Sequence, residues 1–168
     1  MAAEDQALER QGSYALTVLF ESTLANRGHW TILMSHDARL MCGLTLILVP
    51  TIVYGGLTVL GIVTGRTMGV PSPPNLSASQ VAFYRAGHAH AGVLAILTLF
   101  LQIAIDYAVI PQPLIWPARL GALAAALLVS GGFFAAAHAR ALRWVLYLGA
   151  LVLGVVTLTV GIGLLRTN

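Results

Sequence analysis

Long apolar runs separated by short polar or proline-rich breaks define this chain. A helix that crosses a bilayer needs about 20 apolar residues. Four runs qualify: residues 40–64, 81–109, 117–139 and 143–165. The breaks are rich in turn residues: Gly-Val-Pro-Ser-Pro-Pro-Asn at 69–75, Pro111-Gln112-Pro113 together with Pro117, and Ala-Arg-Ala-Leu-Arg at 139–143. Four spans joined this way predict an all-α membrane protein with four transmembrane helices in an up-down bundle. Trp116 and Trp144 fall at helix ends, as interfacial anchors do. Pro50, inside the first run, is expected to kink it.

Residues 1–37 read differently from the transmembrane domain at 38–168. They carry five of the six acidic residues. Residues 14–24 fit a short amphipathic helix lying on the membrane surface. Their apolar part is too weak for a signal peptide. Met34 is an alternative natural start.

Composition agrees with the pattern. The chain is 58% hydrophobic and 9% charged, whereas soluble domains carry about 25% charged residues. The lipid bilayer is therefore its medium. The net charge of +3 has no basic run behind it, which argues against nucleic acid as a partner. All nine basic residues are Arg. Arg27, Arg39, Arg119 and Arg166 fall toward one membrane face, and Arg66, Arg85, Arg140 and Arg143 toward the other. Four against four leaves the orientation open. The single cysteine, Cys42, excludes an intramolecular disulfide and reads as an inert buried thiol. Gly61 with Gly65, Gly87 with Ala91, and Gly131, Gly132, Gly149 and Gly154 are small residues suited to close helix packing.

The chemistry concentrates in the second span, at His88-Ala89-His90. Imidazoles in hydrocarbon need partners, and ionisable groups at that depth are a functional hypothesis by default. Residues two apart on a helix are turned by about 200°, so the two rings must serve different neighbours. Measured from His88 at about 100° per residue, Tyr84 and Gln102 lie near −40°, Arg85 near +60°, and Asp106 near 0°. These five residues form a polar stripe that should face protein, a cofactor or water. Asp106 alone could be hydrated at the interface. His90 shares the opposite, apolar side with Phe83, Ala86, Leu94, Leu97 and Leu101. A flat hydrophobic macrocycle would suit that wall. His138 ends the third span on the same side of the membrane and is either a further metal ligand or an interfacial side chain. Tyr54, beside Gly55 and Gly56, needs a partner for its hydroxyl and is a candidate supporting residue. His29 and His36 precede the first span, at the opposite surface.

The run Gly87-His88-Ala89-His90-Ala91-Gly92-Val93-Leu94 resembles the helix of the haem–copper oxidase catalytic subunit that carries a His-x-His pair. That subunit is built from three four-helix units, and this chain looks like one of them. The resemblance implies haem ligation by His88 (the high-spin position) and His90 (the low-spin position), and a homotrimer that mimics the larger subunit. It does not extend to the copper centre. The chain has no adjacent His-His pair and no His-Pro-Glu-Val-Tyr segment, so oxygen reductase activity is not implied.

The leading expectation is therefore a b-type haem protein of a bacterial plasma membrane, active in electron transfer or in redox or gas sensing. His88, His90, Arg85 and Tyr84 would line its site, with Tyr54, Gln102 and Asp106 behind them. A c-type attachment is excluded, since Cys-x-x-Cys-His is absent. The alternative is copper or zinc bound by His88, His90 and His138, with ligands from several copies at an oligomer axis. A third reading is an accessory subunit whose histidines only join helices.

Overall fold

The computed structural model describes residues 34–64 and 76–166. The expected surface helix at 14–24, His29, Gly65, Arg66 and the loop at 69–75 lie outside the described residues. Among the described residues there are four long helices: α1 (His36–Thr64), α2 (Ala78–Tyr107), α3 (Gln112–His138) and α4 (Arg143–Leu165), with a single 3-10 turn, Arg140–Leu142, before α4. All four are long and apolar enough to cross a membrane. The protein is an integral membrane protein with an all-α four-helix fold.

The helix boundaries follow local chemistry. Ser77 caps α2: its hydroxyl accepts from the Gln80 amide at 3.3 Å, and the Gln80 side chain accepts from the Ser77 amide at 3.0 Å. This reciprocal box satisfies two amides that no helical carbonyl can reach. Ser77→Ala should cost about 1 kcal/mol, read as a lowered unfolding midpoint of the purified protein in detergent. α3 starts five residues earlier than its apolar run suggests, at Gln112 rather than at residue 117. Proline lacks an amide hydrogen, which is no loss in a first turn. Pro113 therefore opens the helix instead of belonging to the break. α1 runs on through Pro50.

Neighbouring helices are antiparallel. Cys42 on α1 meets Leu99 on α2, while Gly56, further along α1, meets His88, which precedes Leu99. Gly132 lies against Leu146 and Gly149 against Val129, so α3 and α4 also run in opposite directions. These two glycines let the α3 and α4 backbones approach closely. A Cβ on Gly132 would come within 2.6 Å of the Leu146 amide nitrogen, and one on Gly149 within 2.7 Å of the Val129 nitrogen. Gly131 and Gly154, expected to pack in the same way, face open space.

The bundle is not a closed square. α2 and α3 form a central pair, α1 packs mainly on α2, and α4 packs mainly on α3. Among the described residues α1 and α4 make no contact. Two seams result: one joins α1, α2 and α3, and the other joins α2, α3 and α4. The core cluster fills the second seam toward the end of α2 and includes Leu101, Ile105, Ala122, Val156 and Val160. Trp116 and Trp144 are exposed near opposite ends of the bundle, in keeping with an anchoring role.

Candidate functional site at the two seams

His88 and His90 lie about 7 and 4 Å from the midpoint of α2 at 1.5 Å per residue. A hydrocarbon core is about 30 Å thick, so a bilayer centred on α2 would enclose both imidazoles. The rings diverge as their spacing requires.

His88 belongs to the first seam. Its ring lies against α1 where Gly56 leaves room. A Cβ on Gly56 would stand 2.7 Å from both Cε1 and Nε2 of His88. Only glycine lets the imidazole approach that backbone. Among the described residues His88 makes no hydrogen bond.

His90 belongs to the second seam. Its Nδ1 lies 2.7 Å from the Ala86 carbonyl oxygen. A carbonyl only accepts, so in this contact Nδ1 carries the hydrogen. A neutral ring then presents an Nε2 lone pair on its outer edge. Phe133 stacks on the imidazole at 4.7 Å between ring centroids, tilted by 34°. Phe83 lies 6.2 Å from Phe133, and the Arg143 guanidinium sits 5.7 Å above Phe83. This aromatic ladder leads from His90 to a cation at the start of α4. Below it, His90 opens on an apolar groove of about 440 Å³ between Leu94, Leu97, Val129, Leu146 and Leu153. Small-molecule sites run from roughly 300 to 1,000 Å³.

The polar stripe on α2 divides among partners. Tyr84 turns to α3, where its hydroxyl lies 2.8 Å from His138 Nε2 and its ring packs on Phe134. His138 is exposed at the end of α3. Arg85 is exposed and makes no hydrogen bond or ion pair with a described residue. No three His, Cys, Asp or Glu side chains come together among the described residues. His88, His90 and His138 are thus not assembled as a metal centre within one chain: the first faces α1, the second faces Phe133, and the third is tied to Tyr84. Tyr54 does not join the site either. It is 64% exposed, and two residues from Gly56 place it about 200° round α1, away from His88.

Gln102 and Asp106 form a separate polar centre with a residue the sequence pattern did not single out, Arg119 on α3. Gln102 and Arg119 are 0% and 3% exposed. Arg119 Nη1 donates to the Gln102 carbonyl at 3.2 Å and to Gln102 Oε1 at 3.3 Å, and Nη2 donates to Asp106 Oδ1. Gln102 Nε2 donates in turn to the Arg119 carbonyl at 3.0 Å. Asp106 is therefore an ion-pair partner and not a hydrated interfacial carboxylate. The earlier start of α3 carries Arg119 away from the membrane surface, where the apolar pattern alone puts it. It stands seven residues inside the helix, about 10 Å along it.

Comparison with protein-family models, with curated proteins and with solved structures gives no match to this chain. The likeness to the oxidase helix accordingly rests on the His-x-His run and the helix count alone.

Proposed function

We propose that this membrane protein binds b-type haem in the α2–α3–α4 seam, with His90 Nε2 as axial ligand, and serves electron transfer or redox or gas sensing. One observation carries the reading. His90 Nδ1 is bound to the Ala86 carbonyl at 2.7 Å, so the other nitrogen is the free one, and it borders an apolar groove of about 440 Å³. Ligating histidines commonly donate their second nitrogen to a carbonyl or carboxylate, which fixes both tautomer and ring plane. Leu94, Leu97, Leu146 and Leu153 supply the apolar walls that a macrocycle needs. Haem bound there would supply one-electron chemistry or a gas-binding iron. We place the protein in a bacterial plasma membrane as a homotrimer, an assembly that the mass of the purified complex would test.

The decisive measurement is a reduced-minus-oxidised spectrum of the full chain purified from haem-supplemented cells. A Soret band is expected. His90→Ala should abolish it, and Gly154→Leu, which puts a side chain into the groove, should do the same. His88→Ala should retain it. A colourless protein with stoichiometric copper or zinc would replace this reading by a metal site shared between copies. A colourless, metal-free protein would leave His90 as a helix-joining residue.

A further inference from the structure

The turn between α3 and α4 gathers cations that have no counter-ion among the described residues. Arg140 and Arg143 are exposed, and neither side chain makes a hydrogen bond or ion pair with a described residue. The turn sets them side by side. The Arg143 amide donates to the Arg140 carbonyl and closes a 3-10 turn, in which residues three apart project from the same side. Arg85, exposed on α2, adds to the positive charge of this end. Nothing acidic answers them. Asp37 and Asp106, the carboxylates among the described residues, sit at the start of α1 and the end of α2, which is the opposite end of the bundle. No Asp or Glu occurs between residues 38 and 105 or after 106.

We infer that Arg140 and Arg143 bind the headgroup phosphate of an anionic phospholipid. Depth supports a lipid as the source of the anion. α2 has 30 residues and is about 45 Å long, against a hydrocarbon core of about 30 Å. In a bilayer centred on α2, about five residues project at each end, which sets Phe83 at the boundary. The Arg143 guanidinium, 5.7 Å above the Phe83 ring, stands where hydrocarbon gives way to headgroups. Trp144, exposed beside it, suits the same layer. Chemistry supports a phosphate. The contact with Phe83 uses the face of the guanidinium, and its planar set of N–H donors matches phosphate oxygens two at a time. Two like charges held together repel, and an anion between them removes the conflict. The acyl chain has a wall as well: Tyr147 and Leu151, one and two turns along α4 from Arg143, are exposed. Phosphatidylcholine has the same phosphate, but its choline ammonium cancels the charge. Phosphatidylglycerol leaves that charge for the arginines. This inference does not depend on haem binding at His90.

The test is electron paramagnetic resonance of the full chain in phosphatidylcholine bilayers that carry a trace of spin-labelled phosphatidylglycerol or spin-labelled phosphatidylcholine. The motionally restricted fraction of the label reads association with the protein. Phosphatidylglycerol should associate severalfold more strongly. Arg140→Gln with Arg143→Gln should remove most of that preference, each charge being worth up to about fivefold. Arg39→Gln, at the opposite end, should keep it, and so should Arg140→Lys with Arg143→Lys, which preserves the charge. Equal association of the two lipids with the unaltered protein would overturn the inference without reference to any variant. A preference that the paired glutamine substitutions leave intact would also overturn it, because the anion would then bind elsewhere. Inorganic phosphate should lower the preference no more than sodium chloride of the same ionic strength. A larger loss would show a site for free phosphate and overturn the lipid assignment.

Discussion

Replacing Arg119 by methionine should destabilise the folded bundle by about 3–5 kcal/mol, the usual cost of stranding one member of a buried ion pair. The residue left behind decides the size. Asp106 would lose the guanidinium it now pairs with, and Gln102 would lose two of its hydrogen bonds. Asp106→Asn should also destabilise by a few kcal/mol, because it removes the carboxylate from the more deeply buried guanidinium, although Gln102 still accepts from it. The pair Arg119→Met with Asp106→Leu should recover most of the loss, since well-packed apolar replacements of buried ion pairs are often neutral or better. Unfolding of the three variants in mixed detergent–SDS micelles reads the effect. If Arg119→Met unfolds at the wild-type midpoint, the network contributes nothing to stability.

The second large effect is expected at the α3–α4 contact. Gly149→Leu places atoms where the Val129 amide nitrogen now stands 2.7 Å from the position of a Cβ. Backbone cannot swing aside as a side chain can, so the helices must part. Overpacking of this kind costs about 1–3 kcal/mol and sometimes more. Gly132→Val should behave alike, since its obstacle is the Leu146 backbone. Both sites adjoin the groove beside His90, which Val129, Leu146 and Ala150 help to line. These variants should therefore lower the unfolding midpoint and weaken retention of the haem proposed for that groove. Gly161→Ala makes a clean control, because Gly161 lies outside the groove and a Cβ there meets nothing within 4 Å. Equal damage from Gly161→Ala and Gly149→Leu would contradict the close backbone approach at Gly149.

The four spans were legible because their signal is local: an unbroken apolar run of sufficient length specifies a membrane helix with little help from tertiary structure. The divergence of His88 and His90 was legible for the same reason, since it follows from helical pitch alone. What each ring meets was not legible. Gly56 and Phe133 become its neighbours only once the axial registers of α1 and α3 against α2 are set, and no local pattern encodes those registers. Arg119 was hidden by a boundary. Reading Pro113 and Pro117 as a break placed the arginine at the membrane surface, whereas proline in a first turn carries the helix outward and the arginine inward. Tyr54 erred through the same unknown register. Its nearness to Gly56 in sequence counts against a shared site, because residues two apart on a helix face different ways.

α2 touches each of the other three helices, and its two imidazoles press on different ones. A small sideways shift of this helix would press one ring on its neighbour while drawing the other back, like the two arms of a balance. Occupancy on the His90 side and the fit of His88 over Gly56 are for that reason mechanically opposed. The haem proposed for one flank would then be felt on the other, because both rings ride on a single helix.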